Sequence, residues 1–343
     1  MSNRPIVLIG AGGIVESAHL PAYQKAGLKV IGITDLDQQK ARNIAKKFNI
    51  PNVYDSVHQA TIHAPEHAIF DIAIPASGLV DLLPTFRNGS MLLIQKPMGE
   101  NIKQARQIKQ ICRQKDFAAN INFQMRFAPQ VTEARKMISR GTIGKLHDIE
   151  MRVTVYTPWH LWDFLEKCAR VEILYHSIHY IDLIRSFWGN PIGMLAKTTK
   201  HPEMMNMASS RSNIIMDYGD IKRANITTNH GHKYGLRHQE SYLKFEGTKG
   251  AIKICFGLLM DYPKGTIDSF EYHILNNEKE TEWISKEICG TWFPDAFIGS
   301  ILNLMDPKLK EEQMDCTVSD AYETMACVEA AYQSNRSSPI PAN

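Results

Sequence analysis

A run of four apolar residues, Ile6–Ile9, leads straight into Gly10-Ala11-Gly12-Gly13-Ile14-Val15, and this junction restricts the fold more than any other stretch of the chain. An apolar run without polar alternation suits a strand buried on both faces, as in a parallel sheet covered by helices on each side. The pattern recurs at Val30–Thr34, Phe70–Ile74, Met91–Ile94 and Phe117–Ile121, with helix-period segments such as Gln38–Phe48 and Ile102–Arg113 between the runs. Residues 1–122 therefore read as a doubly wound α/β domain. After Pro129 the texture changes. Ile149, Met151, Val153 and Val155 alternate with Glu150, Arg152 and Thr154, and Ala224, Ile226 and Thr228 alternate with Arg223, Asn225 and Thr227. Period two implies a sheet with one apolar face, antiparallel or mixed. With helices expected over Glu172–Trp188, Asp295–Met305 and Val318–Ser334, residues 123–343 read as an α+β domain that ends in a frayed tail.

Composition supports two globular cores and removes several function classes. The 343 residues are 44% hydrophobic and 22% charged, enough apolar material for about two domains. Lys and Arg total 39 against 36 Asp and Glu, with no basic block, so nucleic acid is not an expected partner. No segment approaches the about 18 apolar residues of a membrane span, and the N-terminus lacks a signal-peptide pattern. Six cysteines (Cys112, Cys168, Cys255, Cys289, Cys316, Cys327) stand singly, as in a reduced cytoplasmic protein.

Three motifs carry chemistry. Glycines between a buried strand and a helix let the backbone approach a pyrophosphate, while the helix N-terminus offers free N–H groups. The third glycine of the dinucleotide fingerprint is replaced by Val15. Asp35, ending the next apolar run, is placed to accept hydrogen bonds from an adenosine ribose and to repel a 2′-phosphate, so the expected cofactor is NAD. Its other reading is a helix N-cap, for which Asp37 is the better candidate. The second motif is Gln95-Lys96-Pro97, at the carboxyl end of an apolar run, where open α/β sheets bind ligands. The third is the segment from Glu172 to Asp182. At about 3.6 residues per turn, Glu172, Tyr175, His176, His179 and Asp182 share an arc of about 120°, opposite Ile173, Leu174, Ile178, Ile181 and Ile184. Two histidines and a tyrosine are an uncommon way to make a solvated face. His176 with His179, or His230 with His232, could be part of a metal site, but neither is a complete ligand set; no metal is expected, and these groups read as lining a polar substrate pocket. The serine nucleophile elbow and the P-loop are both absent.

Taken in order, Ile9-Gly-Ala-Gly-Gly-Ile14 with His19-Leu-Pro-Ala22, Gln95-Lys-Pro97, Asn122-Phe-Gln-Met-Arg-Phe127, Gly141-Thr-Ile-Gly-Lys145, His179-Tyr-Ile-Asp182 and Gly247-Thr-Lys-Gly250 resemble the glucose-fructose oxidoreductase, inositol dehydrogenase and rhizopine catabolism (Gfo/Idh/MocA) family. The resemblance runs from about Pro5 to about Ser334. It implies a Rossmann domain followed by an α+β domain with a large open sheet, through which subunits pair as dimers or tetramers. It makes Lys96 the match of the family's catalytic lysine and His179 that of its active-site histidine. Tyr175 stands where the family has an aspartate and Gln95 where it has a glutamate, which bears on the proton path and the substrate. The expected function is NAD-dependent hydride transfer at a secondary alcohol or ketone of a sugar or polyol, with His179 or Tyr175 as acid/base and Lys96 polarising the oxygen. Expected cofactor contacts are Gly10, Gly12, Gly13, Ile14, Asp35, Pro75, Lys96 and Pro97. Expected substrate contacts are Arg126, Trp159, His160, His176, His230 and His232. Family relatives that hydrolyse glycosides through transient oxidation, and one that acts as a sugar sensor, define the alternatives.

The Asp35 assignment has a direct test. Fluorescence titration should give tighter binding of NAD than of NADP, and Asp35→Ala should narrow the difference; equal or tighter NADP binding by the parent protein would overturn the assignment.

Overall fold

The computed structural model describes residues 4–275, 282–305 and 315–337, and their contacts divide the chain into two compact units. The first takes Met1–Ala128 together with Phe293–Met325, the second Pro129–Trp292 together with Ala326–Asn343. A division at residues 122 and 123 follows chain order, but the segment Phe293–Met325 returns to the first unit. The reason is apolar. In the helix Ala296–Met305, Phe297, Ile301, Leu304 and Met305 are buried in the same cluster as Ile6, Leu8, Ile33 and Ile69.

The first unit holds a six-stranded sheet of β1 (Ile6–Ile9), β2 (Val30–Thr34), β3 (Asn52–Val53), β4 (Ile69–Ile72), β5 (Met91–Gln95) and β6 (Ala118–Asn122), in the order β3-β2-β1-β4-β5-β6. Every neighbouring pair is parallel. All residues of β1 and β4 are buried, as unalternating apolar runs require. The two-residue β3 carries no periodic signal and is not foreseen from the sequence. Helix Gln38–Phe48 starts where the Asp37 carboxylate accepts from the amides of Gln39 and Lys40, so Asp37 is the N-cap and Asp35 is released from that role. Helix Ile102–Gln114 is capped in the same way by Asn101.

The second unit holds an eight-stranded sheet of β7 (Leu146–Thr154), β8 (Gly193–Thr199), β9 (Arg211–Asp217), β10 (Arg223–Asn229), β11 (Glu240–Gly247), β12 (Gly250–Cys255), β13 (Ser269–Ile274) and β14 (Ile284–Ser285). The order is β14-β13-β12-β11-β7-β10-β9-β8. β7 and β10 run parallel and the remaining pairs antiparallel, a mixed sheet. Alternation predicts its faces: Ile149, Met151, Val153, Ala224 and Ile226 are buried and Arg152 and Arg223 exposed. The segment expected as one α-helix from Glu172 is two pieces, a wide π-type turn over Glu172–Ser177 and an α-helix over Ile178–Trp188. Among the described residues no helix is long and apolar enough to cross a membrane.

One polar residue interrupts the apolar core of the first sheet. Asp71, in the interior of β4, has no exposed surface, and its Oδ2 lies 2.6 Å from His19 Nδ1 and accepts from the Tyr23 hydroxyl at 2.7 Å. Burial, and secondarily Asp71, raises the Tyr23 phenol well above its ordinary value, so it stays a donor. Both partners sit on the helix that follows the glycine turn, so the carboxylate sets where that helix lies on the sheet. Asp71→Ala leaves two buried groups without their acceptor and should lower stability by about 3–5 kcal/mol, read from urea unfolding.

Candidate functional site

In the first unit the candidate site grows from the carboxyl edge of the parallel sheet. Register pairs Ile9 with Ile72 and Ile72 with Ile94, so Gly10, the stretch from Ala73 to Pro75, and Gln95-Lys96-Pro97 emerge side by side. Gly10 has φ +109°, and a Cβ there would lie 2.4 Å from the Ala73 carbonyl oxygen; the chain's own packing demands glycine. Gly12 and Gly13 are different. A Cβ at either would meet nothing within 4 Å, so no neighbour in the protein accounts for glycine at these positions. Their bare backbone faces open space at the start of a helix, whose first amides have no acceptors within the helix. That cradle fits a dinucleotide pyrophosphate. Val15 is fully buried, and Ile14 packs against the core from a partly exposed position. The third fingerprint position thus serves packing.

Asp35 closes the cradle. Its Oδ2 accepts from the Ala11 amide at 2.6 Å and its Oδ1 from the Asp37 amide at 2.7 Å, which holds a half-buried carboxylate against the glycine turn. Pro75 is exposed at the head of a short turn over Ala76–Gly78. Lys96 follows β5, and burial pushes its ammonium from the ordinary lysine value down to about 8. The neighbouring Gln95 belongs to a chain of polar groups that the sequence reading missed. Its Oε1 accepts from Asn122 Nδ2 at 3.0 Å, that nitrogen lies 3.5 Å from His19 Nε2, and His19 leads to Asp71. An aspartate inside the apolar run Phe70-Asp71-Ile72 was the available signal. Arg126, expected to touch substrate, is instead a buried internal partner: its guanidinium lies 2.6 Å from Asp320 and 3.8 Å from Asp315.

In the second unit the structure gathers Trp159, His176 and His230 around Glu172. The His176 and His230 rings lie 4.1 Å apart, and Trp159 stands edge-on to His230 at 5.1 Å. His230 Nε2 is 3.4 Å from Glu172 Oε1, which also accepts from the Ser177 hydroxyl at 2.7 Å. Burial works against the Glu172 charge, but the hydrogen bond and positive charge of His230, with a smaller contribution from Ser177, outweigh it and hold the carboxyl below its ordinary range. Tyr175 and His179 are half-buried, the former with Cys168 Sγ 3.6 Å from its hydroxyl. His160 is exposed, and His232 lies half-buried beside Tyr234, so neither joins the Glu172 group. The expected five-residue polar arc is split: Glu172 and Asp182 face the interior, at 0% and 1% exposure, while Tyr175, His176 and His179 remain partly exposed. The wide turn breaks the 3.6-residue period on which the arc was drawn. His230 likewise has no exposed surface, so in this conformation it stands behind Trp159 and His176 and cannot meet a dissolved substrate directly.

Comparison with known proteins adds to this geometry. Residues 4–123 match a family model described as the NAD-binding Rossmann fold of an oxidoreductase family, and residues 135–342 match its C-terminal alpha/beta domain. The chain is 26% identical over 245 residues, 70% of each protein, to trans-1,2-dihydrobenzene-1,2-diol dehydrogenase of Xenopus laevis. It is 22% identical over 151 residues, 43% of each, to D-glucoside 3-dehydrogenase of Escherichia coli. An oxidoreductase from Agrobacterium radiobacter, solved in complex with NAD+, L-tartaric acid and magnesium, superposes with a TM-score of 0.78 at 17% identity, over 97% of this chain and 96% of that one.

Gly10 and Gly12 should separate in experiment. Gly10→Ala forces a strained φ and a backbone clash and should lower the thermal midpoint, whereas Gly12→Val should leave the midpoint unchanged and weaken NAD binding in a fluorescence titration. A Gly12→Val protein with unaltered affinity would remove the glycine turn from cofactor binding.

Proposed function

Because the chain belongs to the Gfo/Idh/MocA oxidoreductase family, we propose that this NAD-binding enzyme transfers a hydride between nicotinamide and a secondary alcohol or ketone of a sugar or polyol. The observation that carries the reading is Lys96, emerging beside the open glycine turn with its ammonium lowered to about 8. The names of the diol and glucoside dehydrogenases to which the chain is similar support the substrate class. Bound NAD supplies the hydride acceptor or donor. Asp35 holds the ribose, and the bare amides at Gly12 and Gly13 approach the pyrophosphate.

Oxidation of a carbinol also requires that the hydroxyl proton leave. As an ammonium, Lys96 donates a hydrogen bond to the substrate oxygen and polarises it; with its lowered pKa it also takes a share of the proton near neutral pH. The positive charge of oxidised nicotinamide would depress it further. His179 or Tyr175, both half-buried, serves as the acid/base, Tyr175 within the wide turn and His179 in the helix that follows it. His176 and Trp159 are further candidates for substrate contact.

Lys96 allows a sharp test. With a panel of sugars and polyols, NADH formation should rise with pH through an apparent pKa at or below about 8. Lys96→Arg, locked as a cation, should flatten that rise, and Lys96→Ala should cut turnover about 10²- to 10⁴-fold while leaving NAD affinity within a few-fold. An alanine variant with parental turnover would take Lys96 out of the mechanism. His179→Ala should lower turnover of folded protein with little effect on NAD affinity; unchanged turnover would place the acid/base elsewhere.

A further inference from the structure

We propose that Glu172, His176 and His230 form a binding site for one divalent transition-metal ion of the zinc type, inside the second unit. Neither histidine pair visible in the sequence is a complete ligand set, which is why no metal was expected. Folding completes a different one, since His230 comes from just beyond β10, 58 residues along the chain from Glu172. One nitrogen from each histidine and one carboxylate oxygen all lie within 4.8 Å of one another. A tetrahedral ion with bonds of about 2.0–2.1 Å sets its ligand atoms about 3.3 Å apart. His230 Nε2 and Glu172 Oε1 already stand at 3.4 Å, so only a modest side-chain adjustment closes the set.

Two further observations point to an ion rather than to a self-contained polar cluster. Glu172 is fully buried, yet its second oxygen, Oε2, accepts no hydrogen bond among the described residues. A buried carboxylate oxygen without a donor is costly, and a cation supplies the missing partner. The groups behind the ligands are also in place. Thr157 Oγ1 lies 2.8 Å from His230 Nδ1, so with an ion bound it can accept the ring proton at Nδ1 and leave the Nε2 lone pair to the metal in place of the hydrogen bond to Glu172, and the Ser177 hydroxyl steadies the carboxylate at 2.7 Å. Such outer hydrogen bonds are the usual means of fixing ligand orientation and tautomer. Trp159, buried and edge-on to His230, walls one side of the site.

Donor chemistry selects the ion. Two imidazole nitrogens with one carboxylate favour zinc and its neighbours over magnesium or calcium, which prefer all-oxygen shells. Three protein ligands leave a fourth position for a water molecule. The site stands on these contacts alone and does not depend on the hydride reaction proposed above.

Cobalt(II) and zinc are the probes. Chelator-treated full-length protein should take up one equivalent of cobalt(II) with visible absorption bands of a low-coordinate site containing nitrogen donors, and zinc should displace it. Thr157→Val, which removes only an outer hydrogen bond, should weaken binding about 10- to 100-fold. His176→Ala should abolish it, and a circular dichroism spectrum with a cooperative thermal transition like the parent's establishes that the variant is folded. Failure of the parent to bind either metal stoichiometrically, or parental affinity in folded His176→Ala, would overturn the proposal and leave the three groups as an ion-free polar cluster.

Discussion

A carboxylate removed from water has to be surrounded by donors, and in the first unit that obligation falls at the middle of the sheet. Asp71 occupies a strand flanked on both sides by other parallel strands and has no exposed surface, so its donors have to come from side chains packed on the sheet. His19 and Tyr23 answer from successive turns of one helix. Because that helix begins at the glycine turn, a hydrogen-bond requirement deep in the core also positions the backbone of that turn. The same polar chain continues through Asn122 to Gln95, the residue preceding Lys96. Core and site are therefore one construction: moving Asp71 would disturb both ends of the cradle.

The second unit repeats the problem with a different answer. Glu172 is equally buried, but its donors are His230 from beyond a sheet strand and Ser177 from its own helical turn. One carboxylate oxygen is satisfied and the other is not. Asp71 shares this imbalance, since its Oδ1 also lacks a partner, yet only Glu172 has two imidazoles within ligand distance. The widened turn over Glu172–Ser177 accounts for the placement. It directs Glu172 inward while leaving Tyr175 and His179 partly exposed, so one short segment faces both the interior and the solvent.

The lowered pKa of Lys96 follows from its burial where β5 ends. Its ammonium lies lower than an ordinary lysine because burial penalises the charged form, while the loop position keeps the side chain partly exposed. Asp35 sits at another strand end, where its carboxylate accepts from the Ala11 amide of the glycine turn and from the Asp37 amide beside it. Rigid strands thus deliver a cation and an anion to the same edge of one sheet, which suits a cofactor carrying both phosphates and ribose hydroxyls.

Local pattern was sufficient for much of this. Unalternating apolar runs meant a parallel sheet, alternation after Pro129 meant a one-faced sheet, and the Gly10–Gly13 turn, Asp35 and Lys96 were each legible at the end of an apolar run, because strand period and turn chemistry are encoded within a few neighbouring residues. What required the folded chain were the relations between distant residues: Asp71 with His19, Glu172 with His230, Arg126 with Asp320, and the return of residues 293–325 to the first unit. The wide turn at Glu172 belongs with these, since no local preference announced it and it moved a polar residue from an expected surface into the core. Propensity and periodicity act over one or two turns of chain, whereas the pairing of a buried charge is decided by whichever donors packing brings within about 3 Å of it.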